Sequence, residues 1–274
     1  MPRTRLRPLA LACGVALAAS ACGPVSAALH DPHALPALAE NPRVRFDNGA
    51  QDYAHAVAAL LPRAMAKVEA AHGRPFGRDF VVAAYLDDSA YAAANGRGDT
   101  SARGVAFLDR VTLSPQIWRD NAHDLEPYLT HELSHEHLLS RLSLVDYLRI
   151  PVWFTEGIAV MASDGGGAQL VSEQEAKRAI AAGRAIATPD EAALFGNVSM
   201  KAAGLGDDMR RRMHMAYRQA GLFVSDLRAR DGAAFASLMD RLYAGERFKP
   251  AFEAAYGSSV AENWSRFAQT LSHL

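Results

Sequence analysis

The sequence predicts a single α+β domain in which a small N-terminal β-sheet packs on a mostly helical remainder. Short runs of apolar and β-branched residues, typical of buried strands, occur at Phe80–Leu86, Gly104–Phe107 and Val111–Leu113. Helix-forming composition dominates after Pro151. The 274-residue chain shows no internal repeat and no change of composition, so we expect one domain over residues 51–274.

The spacing of apolar residues predicts where the individual helices lie. A first helix is expected over Gln51–Ala71, with a kink at Pro62, and a short one over Ser89–Ala94. A helix from about residue 124 to residue 141 follows the second and third strands, which we expect to form a hairpin. The later helices are predicted at Val152–Ser163, Ser172–Ala182, Asp207–Arg230, Ala233–Tyr243 and Val260–Leu271. Residues 28–50 contain three prolines and little periodicity, which predicts a tether or irregular lead-in.

The first 27 residues have the pattern of a secretory signal peptide. Arg3, Arg5 and Arg7 precede the short apolar run Leu9–Ala21, which is too short to span a membrane. We therefore expect export to the periplasm or cell envelope.

Two cleavage sites are compatible with this leader. Ala19–Cys22 is similar to a bacterial lipobox, and cleavage before Cys22 would leave a lipidated cysteine that anchors the chain to a membrane. Val25–Ala27 offers an ordinary signal-peptidase site instead. The chain's two cysteines, Cys13 and Cys22, both lie in the leader, so a metal site in the mature domain must use histidine and carboxylate ligands.

The overall charge argues against a nucleic-acid partner. The formal net charge is −1 and charged residues make up 22% of the chain, so the balanced charge gives no electrostatic footprint for nucleic acid.

The chemistry in the sequence centres on His131-Glu132-Leu133-Ser134-His135. On a helix, positions i and i+4 share a face, so His131 and His135 can converge on one zinc ion. Glu132 lies about 100° round the axis, where it can reach a water molecule beside that ion and act as a general base. His137 lies about 200° from His135 and is predicted to be a surface or second-shell residue.

A catalytic zinc needs a third protein ligand, and Glu156 is the candidate. It lies in the apolar segment Pro151–Ala159, where an unpartnered carboxylate would be costly to bury. Twenty residues separate it from His135, enough for a loop and a returning second helix. We expect Gly157 to let the two helices approach closely. The partners of the histidines' second nitrogens cannot be chosen from the sequence, where Asp164, Asp146 and Glu126 are candidates without further support.

The pair His-Glu-Leu-Ser-His and Trp-Phe-Thr-Glu-Gly-Ile-Ala, about twenty residues apart, resembles the gluzincin metallopeptidases, and in particular the bacterial peptidase-MA-like group. That group is related to the thermolysin and aminopeptidase-N architectures. The resemblance covers about residues 100 to 230. It implies a zincin fold, zinc ligands at His131, His135 and Glu156, and Glu132 as the catalytic base.

The resemblance also implies a donor for the oxyanion of the transition state, downstream of the third ligand. Ala216-Tyr217-Arg218-Gln219-Ala220 resembles the tyrosine-containing helix of peptidase-MA-like domains, which favours Tyr217. His214, one turn earlier, is the second candidate.

Two functions of different classes follow. The first is a zinc-dependent peptidase that acts on a peptide or protein, and an endopeptidase is favoured because Gly104–Arg110 lacks the amine-binding glutamate of aminopeptidase-N-type enzymes. The alternative is a gluzincin-like binding or assembly module of the bacterial envelope with little turnover. Peptide deformylase chemistry is excluded, since it needs a cysteine ligand that the mature chain lacks.

Overall fold

Helices and one five-stranded sheet make up the described residues of this computed structural model, which are 26–185 and 207–272. The predicted α+β class is confirmed at this level. Residues 1–25, with Cys22 and most of the predicted signal peptide, lie outside the described residues. In the described part, no helix has the length and apolar character needed to cross a membrane.

The sheet is mixed, with a parallel centre and antiparallel edges. Strands β2, β3 and β5 run parallel to one another, whereas β1 pairs antiparallel with β2, and β4 with β5. The order across the sheet is β1-β2-β3-β5-β4. The strands are β1 (Ala37–Leu38), β2 (Asn41–Phe46), β3 (Val81–Ala84), β4 (Gly104–Phe107) and β5 (Arg110–Leu113). The predicted hairpin is therefore present as β4 and β5, and β4 is an edge strand.

Residues 37–46 belong to this sheet, so the predicted tether over residues 28–50 was wrong for that segment. Val44 is fully buried and pairs with Val82 of β3. Its neighbours Arg43 and Arg45 direct their guanidinium groups to Asp79 and to the Leu35 carbonyl. Two arginines around one buried valine give almost no apolar pattern, which is why the strand escapes detection in the sequence.

The long helices lie where the apolar spacing predicts them. Pro62 lies inside a single continuous first helix. Three short helices, α3, α5 and α10, were not predicted from the sequence. The helices are α1 (Gln51–His72), α2 (Asp88–Ala94), α3 (Pro115–Asp120), α4 (Leu125–Arg141), α5 (Leu144–Leu148), α6 (Val152–Ala162), α7 (Glu173–Ala181), α8 (Asp207–Arg230), α9 (Gly232–Tyr243), α10 (Phe248–Tyr256) and α11 (Val260–Thr270).

Helix α4, which carries the histidine motif, lies between two hydrophobic clusters. Its N-terminal leucines, including Leu129 and Leu133, pack in a cluster with α1 and the sheet. Leu138 packs in a second cluster built from α6 and the C-terminal helices. Thirteen of its seventeen residues are buried, so the motif is fixed in a rigid setting rather than on a mobile surface.

Gly157 allows a close helix approach, although the partner is α8 rather than α4. A Cβ at this position would lie 2.7 Å from Val224 Cγ2 and 2.9 Å from the Ala220 carbonyl oxygen. Gly221 of α8 faces Val160 of α6 in the same way. The two glycines therefore let α6 and α8 pack backbone to backbone, which fixes the helix that carries Glu156.

Candidate metal centre

His131 and His135 project from one face of α4, as the i, i+4 spacing predicts. Their Nε2 atoms are 3.2 Å apart and both side chains are almost fully buried. Helix α6 places the Glu156 carboxylate beside them, with Oε2 3.2 Å from His131 Nε2 and 3.6 Å from His135 Nε2. The three predicted ligands thus meet at one point.

These distances fit a tetrahedral zinc site. With zinc–ligand bonds of about 2.0–2.1 Å, two donors on a tetrahedral ion lie roughly 3.3 Å apart. The three observed donor separations bracket that value. Among the described residues, His131, His135 and Glu156 form the group whose ligand atoms are close enough together to hold a metal ion.

Hydrogen bonds to the second ring nitrogens orient both imidazoles. His131 Nδ1 is 2.9 Å from the Gly166 carbonyl oxygen, which can only accept, so the proton is on Nδ1 and the Nε2 lone pair faces the other ligands. His135 Nδ1 is 3.3 Å from the Tyr147 hydroxyl, which can accept a hydrogen bond from an Nδ1 proton. Both rings are therefore held with Nε2, the nitrogen that would bind a cation, towards the Glu156 carboxylate.

Glu156 adds a negative charge to the two lone pairs. Burial raises the pKa of its carboxyl group, but the neighbouring His135 and His131 outweigh burial and hold the pKa well below its usual range. Its Oε2 atom is buried and has no hydrogen-bond partner among the described residues. A buried anionic oxygen against two imidazole nitrogens, with no donor of its own, is the environment that a metal ion stabilises.

A glycine-rich turn after α6 encloses His131. A Cβ on Gly167 would lie 2.7 Å from His131 Cε1, and one on Gly166 would lie 2.3 Å from the Pro127 carbonyl oxygen. Gly167 has a positive φ of 79°. The turn Asp164–Gly167 therefore covers one ligand and, through the Gly166 carbonyl, accepts its hydrogen bond.

Glu132 lies in the same cavity, against strand β4. A Cβ on Gly104 would lie 2.5 Å from Glu132 Cγ, so the missing side chain of Gly104 makes room for this carboxylate. Glu132 also contributes, after Glu156, to raising the pKa of His135, even though burial acts in the opposite direction. The predicted base is therefore close to the ligands without belonging to the group that could hold the metal.

Both predicted oxyanion donors line the cavity, and their environments separate them. The Tyr217 ring stacks on His131 at 6.4 Å between centroids, and its side chain hydrogen-bonds to Glu156. Burial, reinforced by Glu156, keeps the Tyr217 pKa far above its ordinary value, so the phenol stays protonated. His214 Nδ1 instead accepts a hydrogen bond from the Leu170 amide, and burial lowers its pKa to about 4. Of the two side chains, Tyr217 is the one whose ring lies directly beside the ligand His131.

Tyr147 is the site residue that the sequence does not reveal. It lies on the short helix α5 and lines the cavity beside His135. The three carboxylates considered as histidine partners have other contacts. Glu126 pairs with Arg63 and Lys67, Asp164 also pairs with Lys67, and Asp146 bonds to Ser143.

His137 is fully buried, so its prediction as a surface residue was wrong. Its Nε2 is 2.8 Å from the Arg74 carbonyl oxygen and its Nδ1 is 3.2 Å from the Tyr243 hydroxyl. The ring stacks against buried His72 at 4.3 Å between centroids. The pair lies on the side of α4 away from the ligands. It is buried there because the domain packs around nearly the whole circumference of the helix.

The cavity that holds these groups has a volume of 850 Å³ and is bounded by α4, α8, the β4 edge and the loop before it. Comparison of the chain with protein-family models, with curated proteins and with solved structures gives no match. The identification of the site therefore rests on the residues and distances described above.

Proposed function

We propose that this chain is a zinc-dependent peptidase in which Glu132 is the general base. The observation that carries the proposal is the convergence of His131 Nε2, His135 Nε2 and Glu156 Oε2 at tetrahedral separations, inside a cavity that also holds Glu132. The three ligands leave one coordination position for chemistry, as in catalytic rather than structural zinc sites.

The three ligands would bind the zinc ion, and Glu132 would transfer protons. Zinc, when bound, supplies the positive charge that polarises a scissile carbonyl group and acidifies a water molecule. Glu132 accepts a proton from that water and delivers it to the leaving amine. Its position against Gly104 keeps the carboxylate in the cavity and out of the ligand set.

Tyr217 supplies the hydrogen bond to the developing oxyanion. Its phenol is protonated at neutral pH and hydrogen-bonds to Glu156, which holds the ring beside the ligands. The phenol has one proton to donate, so it would turn from Glu156 to the oxyanion once zinc occupies the carboxylate, while the ring stays in place beside the ligands.

Strand β4 supports a peptide as the substrate. It is the last strand of the described sheet, and residues 103–106 line the cavity. An extended peptide can pair with the free edge of such a strand, which brings one of its peptide bonds over the motif helix. Endopeptidase action is the form of the activity that we propose.

The N-terminus supports an exported, lipid-anchored form. Ala27 is fully buried, and its carbonyl oxygen accepts a hydrogen bond from Arg110 at 3.4 Å. Cleavage before Cys22 would keep this contact, whereas cleavage after Ala27 would remove the residue. We therefore propose lipidation of Cys22 and attachment to the cell envelope.

A broad peptide library tests the proposed activity. The purified protein loaded with zinc is expected to cleave internal bonds of some peptides, because the base and the ligands are already assembled. A chelator should abolish cleavage, and added zinc should restore it. Zinc bound at one ion per chain with no cleavage of any peptide would contradict the peptidase proposal and favour the binding or assembly module.

A further inference from the structure

The loop before β4, residues 95–103, is held in one shape by its own hydrogen bonds. Asn95 is buried, and its side-chain oxygen accepts from the backbone amides of Arg97 and Gly98. Its side-chain nitrogen donates to the Asp99 carbonyl oxygen at 2.7 Å. The Tyr91 hydroxyl binds the Ala102 carbonyl oxygen at 2.9 Å. These bonds fix the backbone of the loop and therefore the positions from which its side chains reach the cavity.

Two of the side chains that it presents are arginines. Arg97 and Arg103 line the cavity from this loop, and Arg210 of α8 lines it as well. In the described part of the chain, none of the three guanidinium groups has a carboxylate within ion-pair distance, so each is available to an anion that enters the cavity. Three arginines without ion pairs around one cavity are a potential anion-binding arrangement.

The carboxylates at the rim cancel only part of this charge. Asp99 and Asp124 also line the cavity. The rim therefore carries three guanidinium groups against two carboxylates, an excess of one positive charge. In the centre, the two negative charges of Glu132 and Glu156 would balance the two positive charges of a zinc ion.

Resting on the peptidase function proposed above, we infer that the cavity selects peptides that carry a carboxylate close to the scissile bond, bound by Arg97, Arg103 and Arg210. Guanidinium groups bind carboxylates through two parallel hydrogen bonds. The carboxylate can be an internal aspartate or glutamate side chain or the C-terminus of the peptide, since both present the same chemistry.

The arginines share the cavity with the groups assigned to the reaction. Arg97, Arg103 and Arg210 line the same cavity as His131 and Glu132. A carboxylate held by these arginines therefore lies near the metal ligands rather than at a distant surface.

Peptide binding to the Glu132→Gln variant tests the inference without turnover. Four fluorescent hexapeptides of one sequence serve as probes: an internal glutamate with an amidated C-terminus, glutamine with a free C-terminus, glutamine with an amide, and lysine with an amide. At least one carboxylate peptide is expected to bind about tenfold more tightly than the glutamine amide. The carboxylate peptide that binds more tightly identifies the source of the anion.

Arginine substitutions, made on the same background, provide the second arm. Combined Arg97→Gln and Arg103→Gln should reduce the tenfold preference to near unity, and Arg97→Glu with Arg103→Glu should favour the lysine peptide. Arg266→Gln is the matched control, because Arg266 is an exposed arginine outside the cavity. Equal binding of all four peptides, no binding of any, or a preference that survives both arginine variants would overturn the inference.

Failure of this inference can be separated from failure of the proposed function. If wild-type protein cleaves neutral amides as fast as carboxylate peptides, and binding shows no preference, the arginine role is wrong and the peptidase stands. If the binding preference follows the arginines while wild-type protein cleaves nothing, the carboxylate site stands and the peptidase proposal fails.

Discussion

Replacing Glu132 with glutamine is expected to lower kcat for peptide hydrolysis by about 10³-fold while the protein keeps one zinc ion per chain. General acid–base catalysis contributes about 10²- to 10⁴-fold, and glutamine cannot accept the proton from water. Zinc should remain bound because Glu132 is not one of the proposed metal ligands, which are His131, His135 and Glu156. Glutamine has nearly the shape of glutamate, so it should fit against Gly104 without moving the strand.

The measurement is kcat on one cleaved peptide together with metal analysis of the same sample. Glu126→Gln is a matched control on the same helix, since its carboxylate pairs with Arg63 and Lys67 and does not line the cavity. The control should retain activity within about twofold. Full activity in Glu132→Gln would contradict the assignment of the base.

The wild-type protein is expected to lose unfolding free energy as pH rises from 5 to 8, and Glu136→Gln should make that loss smaller. Glu136 follows His135 in α4 and is fully buried, and neither carboxyl oxygen has a hydrogen-bond partner among the described residues. Burial, together with the charge of Asp109, raises its pKa to about 9, although Arg78 and Arg110 oppose the rise. The folded protein therefore holds this side chain as the neutral acid at pH 7.

The direction of the pH effect follows from proton binding. The ordinary pKa is 4.5, so between that value and about 9 the folded protein binds one more proton than the unfolded chain. The free energy of unfolding then falls as pH rises through this interval. At about 1.4 kcal/mol per pH unit, Glu136 alone costs up to roughly 4 kcal/mol between pH 5 and pH 8.

Urea unfolding at pH 5 and pH 8 measures this contribution. The difference in unfolding free energy between the two pH values should shift in favour of pH 8 by up to roughly 4 kcal/mol in Glu136→Gln relative to wild type. Both proteins are measured with equal zinc, and the pH 5 values serve as the internal reference. An unchanged difference would show that Glu136 does not titrate from a raised pKa.

Much of the candidate site is predictable because its chemistry is local in sequence. His131, Glu132 and His135 lie within five residues, and helix geometry alone places both imidazoles on one face. Glu156 is detectable because a carboxylate in an apolar helical segment needs a partner. The structure brings these four residues and Tyr217 into one cavity.

The groups that orient the ligands are not predictable in the same way. Gly166 acts through its backbone carbonyl, which no residue type signals, and Tyr147 lies in a five-residue helix without periodicity. His137 was predicted as a surface or second-shell residue from its angle on the helix, but α4 is packed on nearly every face and the His137 ring is buried away from the ligands. Such contacts depend on chain segments that are distant in sequence.

Within the fold, predictions failed where burial is confined to one or two residues. Strand β2 buries only Val44 fully, and its neighbouring arginines hide it. The long helices were predictable because each repeats its apolar face over several turns.

Zinc binding by ligand variants tests the central claim most directly. Metal analysis after dialysis should find one zinc ion per chain in wild-type protein and in His214→Ala, a control that lines the cavity outside the ligand group. His131→Ala, His135→Ala and Glu156→Ala should each weaken zinc affinity by at least about 100-fold, since even loss of a ligand's hydrogen-bond partner costs 10- to 100-fold. Wild-type protein that binds no zinc, or Glu156→Ala that binds it with unchanged affinity, would contradict the proposed three-ligand centre.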